Sequence, residues 1–224
     1  MARRARRART DGSLTLRLAV FVLLAAMPAL AVDPFEIQVY DGSADAPGQA
    51  GLEVHVNRPK GGPLHFTLEP SFGITPFWEL GGYFQTSDGH YAGVKLRSKF
   101  VTPDSFDPNF RFGLNFELSK IPDEGWGGEI RPILAWENDR FLFAVNPIVS
   151  FPVAFEPAGM AKVKFGIFGA GLEYYAALSD SEQYLYQTFD LLGLKGVEVN
   201  LGIGEGLTSN SNSLTFKMIL GYGF

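Results

Sequence analysis

Apolar and polar residues alternate along most of this chain. In the clearest stretch, from Phe110 to Ser119, every even-numbered position is apolar, whereas Arg111, Asn115 and Glu117 occupy odd-numbered ones. A period of two places successive side chains on opposite faces of an extended strand. No stretch shows a convincing period of 3.6 residues, which an amphipathic helix would require. Beyond its N-terminal segment, the sequence therefore predicts an all-β protein.

Twelve strands can be placed from this alternation and from the turn residues between them. They are predicted at about 51–57, 64–73, 76–86, 91–101, 109–119, 126–137, 140–151, 159–166, 171–178, 183–192, 196–204 and 213–224.

The two faces of these strands differ in composition. One face is apolar and rich in aromatic residues and carries no charge, whereas the other carries most of the charged residues. A soluble sandwich or a lipocalin-like barrel would bury its apolar face, but this face is too large and too aromatic for that alone. In a membrane barrel the apolar face meets lipid and the polar face lines the interior. Only a closed barrel lets strands cross lipid without unpaired backbone groups. We therefore predict a closed antiparallel transmembrane β-barrel of about 12 strands over residues 51–224.

The end of the chain favours the membrane barrel over a soluble one. Apolar residues alternate up to the last position, and the chain stops on Phe224. This segment resembles the C-terminal signature of bacterial outer-membrane β-barrel proteins. The resemblance implies contact with outer-membrane lipid and recognition by periplasmic chaperones and the barrel-assembly machinery, with Leu220, Tyr222 and Phe224 as the assembly signal. The alternative is a last core strand that ends on Phe.

Residues 1–31 have the features of a cleaved secretory signal peptide. Five Arg residues precede an apolar run from Leu18 to Leu30, and residues 29–31 have the small-x-small form of a cleavage site. The run is shorter than the roughly 20 residues that span a bilayer, which disfavours the alternative of an anchor helix. The expected location is therefore the outer membrane. Without its six Arg and Asp11, the remaining chain has 13 basic and 23 acidic residues, a formal charge of −10.

Residues 32–50 lie between this segment and the first barrel strand. Phe35 to Tyr40 could form a further strand, and a linker rich in Gly, Pro and Asp follows. We expect a periplasmic N-terminal segment or an entry strand into the barrel. If the chain ends in the periplasm, an even strand count puts the start of the barrel there too. The connections on the outer side are then slightly longer, yet too short to plug the barrel.

Composition excludes several kinds of chemistry. The chain has no Cys, which excludes a disulfide framework and a cysteine-ligated metal site, and its formal charge of −5 argues against a nucleic-acid partner. His55 and His65, with Glu53 and Glu69 nearby, could form a metal or acid–base site, but polar residues of a wet lumen are the expected explanation. We therefore predict no catalytic residues, no metal and no cofactor.

The inward face contains acids on the first three strands and bases on the fourth, which predicts an ion-pair network. Such a network can form the constriction of a pore or fill a small barrel. Substitution of Asn115 by Arg should destabilise the protein much less than substitution of Leu114 or Phe143 by Arg, because Asn115 would face water. The candidate lumen-lining residues are Glu53, His55, Glu69, Glu79, Lys95, Arg97, Lys99, Arg111, Glu117, Glu129 and Arg131.

A broader resemblance covers most of the chain beyond residue 32. The stretches that carry it include residues 33–40, 51–57, 93–97, 131–134, 144–148 and 171–175. Together they resemble transporter-type outer-membrane barrels that are loosely related to proteins associated with the meta-pathway of phenol degradation. The resemblance implies a barrel in the outer membrane and assigns no catalytic residue.

Three classes of function remain after these arguments. The first is a channel or facilitator for small solutes, which we expect. The second is a structural outer-membrane protein without transport, and the third is a barrel enzyme that acts on lipid or surface polymers. The sequence determines neither the substrate nor the oligomeric state.

Overall fold

The structure is a computed structural model that describes residues 32–103, 105–194 and 196–224. The expected signal peptide, residues 1–31, lies outside the described residues. The twelve strands are β1 (Ala50–Pro59), β2 (His65–Thr75), β3 (Trp78–Ser87), β4 (His90–Val101), β5 (Phe110–Ile121), β6 (Gly125–Glu137), β7 (Phe141–Phe151), β8 (Ala154–Phe165), β9 (Phe168–Ala177), β10 (Glu182–Leu194), β11 (Val197–Gly206) and β12 (Leu214–Gly223).

The strands form one closed antiparallel barrel in which each strand pairs with its neighbours along the chain. β12 returns to β1 and closes the sheet, with Gly51 opposite Gly223 and Asn57 opposite Lys217. The predicted fold class and strand number are confirmed. Among the described residues there is no helix long and apolar enough to cross a membrane.

The outer surface of the barrel is a belt of exposed apolar side chains. Leu96, Val145 and Phe189 are 62%, 54% and 42% exposed, and they alternate with inward residues along their strands. Exposed apolar patches on soluble monomers rarely exceed a few hundred Å², whereas this belt continues around the whole barrel. Such a belt is the surface that a transmembrane barrel presents to lipid.

β8 begins earlier than the sequence predicted. Its first residue is Ala154 rather than residue 159, so β7 and β8 are joined by a turn of only Pro152 and Val153. Pro157 made residues 152–158 resemble a loop, because proline lacks the backbone donor of a strand ladder. In the barrel Pro157 lies directly opposite Pro147.

The strand prolines lie at interruptions of single ladders rather than in bulges at the rims. The pairing of β6 with β7 is interrupted between Ile130 and Leu134, where Pro132 occurs, and it resumes in the same register. Pro132 itself pairs with Leu114 on the other side of β6. A proline can therefore occupy a closed sheet here, because only one of the two neighbouring ladders is interrupted.

The lumen segment, which we define as residues 32–49, runs through the interior of the barrel. Side chains from β1, β2 and β12 donate hydrogen bonds to its backbone: Asn57 to Pro34 O at 3.0 Å, Thr67 to Phe35 O at 3.0 Å and Lys217 to Ile37 O at 2.9 Å. From the other wall, Asn146 of β7 bonds both the backbone N and the backbone O of Tyr40, at 2.7 and 3.0 Å. A segment that contacts strands on opposite walls must lie inside the barrel.

This position corrects the expectation of a periplasmic segment or an entry strand. The alternation of Phe35, Ile37 and Val39 resembles a strand, but the segment has no strand ladder. Side chains of the barrel wall instead hydrogen-bond its backbone at Pro34, Phe35, Ile37 and Tyr40. Ile37 and Val39 are 3% and 7% exposed and pack in a core with residues of β6–β10, including Met160 and Tyr186.

The lumen segment crosses from one end of the barrel to the other. We call the end that holds Ala50 and Gly223 the terminal end and the opposite end the loop end. The ring centroids of Phe35 and His65 lie 4.7 Å apart near the loop end, where β2 begins. At the terminal end Gly48 N donates to Gly73 O at 2.9 Å, and the chain then enters β1. The expected periplasmic location of the terminal end stays a prediction.

Candidate functional site

The inner wall of the barrel carries the eleven residues that the sequence proposed as lumen-lining. His55, Glu79 and Arg131 are typical of the set, since they are 0%, 2% and 3% exposed. Glu53 and Arg111 are the more accessible members, with side chains 35% and 24% exposed. The structure therefore places the whole proposed set on the inward face, but most of its members are buried rather than solvent-exposed.

Cross-strand register brings the predicted acids and bases together. Glu79 of β3 lies directly opposite Lys99 of β4, and their charged atoms are 3.0 Å apart. Arg97 lies opposite Gly81, and a Cβ at Gly81 would come within 2.8 Å of the Arg97 guanidinium. Because Gly81 has no side chain, Arg97 reaches past β3 to Glu69 of β2 at 3.1 Å and also contacts Glu79 at 2.7 Å.

The lumen segment completes the ion pairs of β4–β6. Lys95 contacts Asp33 at 2.7 Å, Glu36 at 3.2 Å and Glu117 at 3.0 Å. Arg131 contacts Glu36 at 3.0 Å, and the Glu36 carboxylate is completely buried. The Glu36 carboxylate therefore ties the lumen segment to β4 through Lys95 and to β6 through Arg131.

Tyr40 is the centre of the contacts between the lumen segment and this wall. Its hydroxyl donates to Glu36 at 2.9 Å and lies 2.6 Å from the hydroxyl of Tyr83. Its ring lies under three cationic groups, at centroid distances of 4.3 Å for Arg131, 5.4 Å for Lys99 and 5.8 Å for Arg97. Cations at such distances are attracted to the face of an aromatic ring. Sequence reasoning missed this role, since nothing local distinguishes Tyr40 from a strand residue.

A second ion-pair cluster lies on the opposite wall, formed by β8, β9, β10 and β12. Lys162 contacts Glu173 at 2.9 Å and Asp190 at 3.0 Å, and Lys217 forms a close ion pair with Glu173. Lys217 also donates to the lumen segment, as described above. Both walls therefore hold the segment through charged side chains.

One part of the proposed metal or acid–base group is assembled, and one part is not. Glu53 of β1 lies directly opposite Glu69 of β2, and His55 Nε2 is 3.2 Å and 3.1 Å from one carboxylate oxygen of each. Among the described residues this is the one group of acids and histidines close enough to hold a metal ion. His65 is not part of it and instead contacts the ring of Phe35.

A cavity of about 660 Å³ remains at the terminal end, between residues 38–45 of the lumen segment and the barrel wall. Glu137 is at its rim and binds Arg111 at 2.5 Å and Lys164 at 2.6 Å. Its lining includes nine carboxylates and six cationic side chains, so it attracts cations on balance. The nine are Asp41, Asp45, Glu53, Glu69, Glu79, Glu137, Glu173, Asp190 and Glu198, and the six are Arg97, Lys99, Arg111, Lys162, Lys164 and Lys217.

The residues proposed as an assembly signal lie on the outer surface. Leu220, Tyr222 and Phe224 are 42%, 45% and 69% exposed. Phe224 follows β12 and donates its backbone N–H to Ala50 O at 2.8 Å. The signal is therefore accessible at the seam where the barrel closes, and its role in assembly stays a prediction.

Comparison with solved structures supports the barrel fold. A KdgM porin aligns with a TM-score of 0.61 at 14% identity, over 78% of this chain and 99% of its own. A KdgM porin in complex with disordered oligogalacturonate aligns with a TM-score of 0.60 at 14% identity, over the same shares. At such low identity these similarities establish the shared fold alone, a closed antiparallel β-barrel. No protein-family profile and no curated protein sequence matches the chain.

Proposed function

We propose that this protein is an outer-membrane channel for small polar solutes, and that its own lumen segment narrows the pathway. The observation that carries the proposal is the contrast between the two barrel surfaces. A continuous apolar belt faces outward, whereas charged side chains from both walls face a lumen that still contains a cavity of about 660 Å³. A barrel with a polar lumen of this kind is the architecture of passive diffusion across the outer membrane.

The structural neighbours support transport but not a particular substrate. One of them was solved with oligogalacturonate, which is a polyanion. The cavity of the present chain has more carboxylates than cationic groups, so it would repel a polyanion. Its mixed charges favour small zwitterionic or weakly polar solutes. The resemblance to transporter-type barrels related to phenol-degradation proteins also supports a transport role and leaves the solute open.

The decisive experiment is single-channel conductance in a planar bilayer. Replacing Lys95, Arg97 and Lys99 with Gln removes the cations that hold Asp33, Glu36, Glu69 and Glu79. The lumen segment should loosen and the remaining charge should become more negative. Conductance should therefore rise and shift towards cations. Recordings in the presence of a metal chelator prevent any bound ion from contributing.

The matched control is Lys120→Gln. Lys120 is exposed on the outer face of β5 and lies 5.6 Å from the ring of Trp126. Its substitution therefore removes a cation without altering the lumen. Its conductance should equal that of the unmodified protein. If the triple variant is folded and conducts no better than this control, the network does not restrict a pathway.

A structural barrel without transport is the second candidate, and a specific observation favours it. The lumen segment is hydrogen-bonded to both walls, and many inward side chains are completely buried. A protein that conducts nothing before or after release of the segment would establish this role.

We propose no enzymatic activity. Lipase and protease assays on the folded protein test this, and turnover that survives in an independently purified preparation would contradict it.

A further inference from the structure

We propose that Glu53, His55 and Glu69 form a binding site for one divalent transition-metal ion, for which Zn²⁺ is the best-matched probe. The three residues lie on β1 and β2, and their binding of a metal ion does not depend on whether the barrel conducts.

The pairing of β1 with β2 places two carboxylates where a cation between them would stabilise the sheet. Glu53 and Glu69 are directly opposite each other, and both point inward. Like charges at directly opposed positions of antiparallel strands destabilise the sheet. Glu69 has Arg97 on its Oε1 atom at 3.1 Å, but the two carboxylates also turn their Oε2 atoms towards the same point, His55 Nε2.

His55 alone does not satisfy both carboxylates. Its Nε2 atom carries at most one proton, and one N–H cannot point along straight lines at two oxygens that are 3.1 and 3.2 Å away. Glu69 is 3% exposed, and its Oε2 accepts no hydrogen bond from any described residue. A metal ion between the three atoms would use the Nε2 lone pair and both carboxylate oxygens at once.

The two distances that involve His55 suit such an ion. The three ligand atoms all lie within 4.8 Å of one another, and two of the three separations are 3.1 and 3.2 Å. Ligands at 2.0–2.2 Å from a tetrahedral zinc ion lie roughly 3.3–3.6 Å apart. One imidazole nitrogen with two carboxylate oxygens is also a ligand set that Zn²⁺ accepts.

The surroundings provide the outer contacts and the entry path of a metal site. Arg97 orients Glu69 through its other oxygen, and Gln38 of the lumen segment donates to Glu53 Oε2 at 3.1 Å. Groups of this kind position metal ligands. Glu53 and Glu69 both line the cavity at the terminal end, and the Glu53 side chain is 35% exposed. The fourth coordination position would therefore be open to the cavity, and its excess of carboxylates would attract the ion.

The test is titration of the detergent-solubilised protein with Zn²⁺ after treatment with a chelator. Isothermal calorimetry should show one saturable site, and Co²⁺ as a probe should give the visible absorption bands of tetrahedral coordination. His55→Gln and Glu69→Gln should each weaken Zn²⁺ binding by more than about 10-fold and abolish the Co²⁺ bands. Gln38→Leu, which alters only an outer contact, should weaken binding by roughly 10-fold.

His65→Gln is the matched control, because His65 is an inward histidine of the neighbouring strand that lies outside the group. It should bind Zn²⁺ like the unmodified protein. Heat-modifiable migration on gels shows that each variant is folded, and Glu53→Gln, at the most accessible ligand, replaces any variant that does not fold. The proposal is overturned if the unmodified protein binds no Zn²⁺ saturably. Equal binding by the folded His55→Gln and His65→Gln variants would overturn it as well.

Discussion

Asn115 shows that an inward position in this barrel can be buried rather than exposed to water. It lies in the middle of β5, is 0% exposed, and donates from its side chain to Glu117 Oε1 at 2.9 Å. The expectation that Arg would be mild at Asn115 assumed that the inward face meets water. That premise is wrong, because the Asn115 side chain is buried beside Glu117, and burying a further charge there is costly. Among the inward residues, Glu53 and Arg111 are more accessible, and both line the cavity.

The corrected prediction compares a lipid-facing residue with a cavity-facing one. Phe116 is in the middle of β5 and is 38% exposed on the outer belt. Phe116→Arg should lower the free energy of unfolding by about 2–4 kcal/mol, because it places a charge near the bilayer midplane. Glu198 is exposed and lines the cavity. Glu198→Arg should therefore change the free energy of unfolding by no more than about 0.5 kcal/mol. Urea unfolding in lipid vesicles measures both values, and equal losses would contradict the assignment of the two faces.

β12 is the element on which closure of the barrel depends. It pairs with β11 through one ladder and with β1 through the other, so the sheet has no free edge once β12 is in place. An unclosed barrel would expose unpaired backbone groups to lipid, where each costs several kcal/mol. The accessible apolar residues at the end of β12 are therefore well placed for a partner that delivers this strand to the seam.

Phe224→Asp tests that role in assembly. The fraction of heat-modifiable protein in the outer membrane should fall, because the terminal aromatic residue of the signal is lost. Phe165→Asp is the control, since Phe165 ends β8 at the same end of the barrel and is 50% exposed. An equal fall in both variants would mean that Phe224 acts only as one more apolar residue of the outer belt. Recovery of the unmodified protein as a soluble periplasmic protein would contradict the proposed location itself.

The whole molecule is a barrel built around its own N-terminal segment. The lumen segment contacts both walls through charged and amide side chains, and Ile37 and Val39 add an apolar core on one side. The interior is therefore packed around Glu36 and Ile37, and a cavity remains beside residues 38–45 at the terminal end. Any solute pathway through the protein must pass the segment or displace it.

Tyr40→Ala tests whether the lumen segment is the barrier. The change removes the ring beneath three cations and leaves a gap in the packed part of the lumen, so the single-channel conductance should rise. Tyr40→Phe keeps the ring and loses only the hydroxyl contacts with Glu36 and Tyr83, so its increase should be smaller. If all three proteins are folded and conduct equally, the segment at Tyr40 does not limit passage.

The sequence by itself determined the strands and their faces. A period of two is a local property, and the absence of charge on one face of residues 110–119 and of the other strands needs no knowledge of their neighbours. The inward direction of Glu79, Arg97 and Arg131 therefore followed from alternation alone.

Tertiary structure decided which inward residues meet and what fills the space between them. Arg97 reaches Glu69 because Gly81, on the intervening strand β3, has no side chain to block it. Glu53 lies opposite Glu69 because of the register of β1 with β2. The path of the lumen segment depends on partners as distant in sequence as Asn146 and Lys217. Such contacts are set by the closure of the barrel, and an alternating stretch such as Phe35 to Tyr40 looks the same whether it pairs in a sheet or packs inside one.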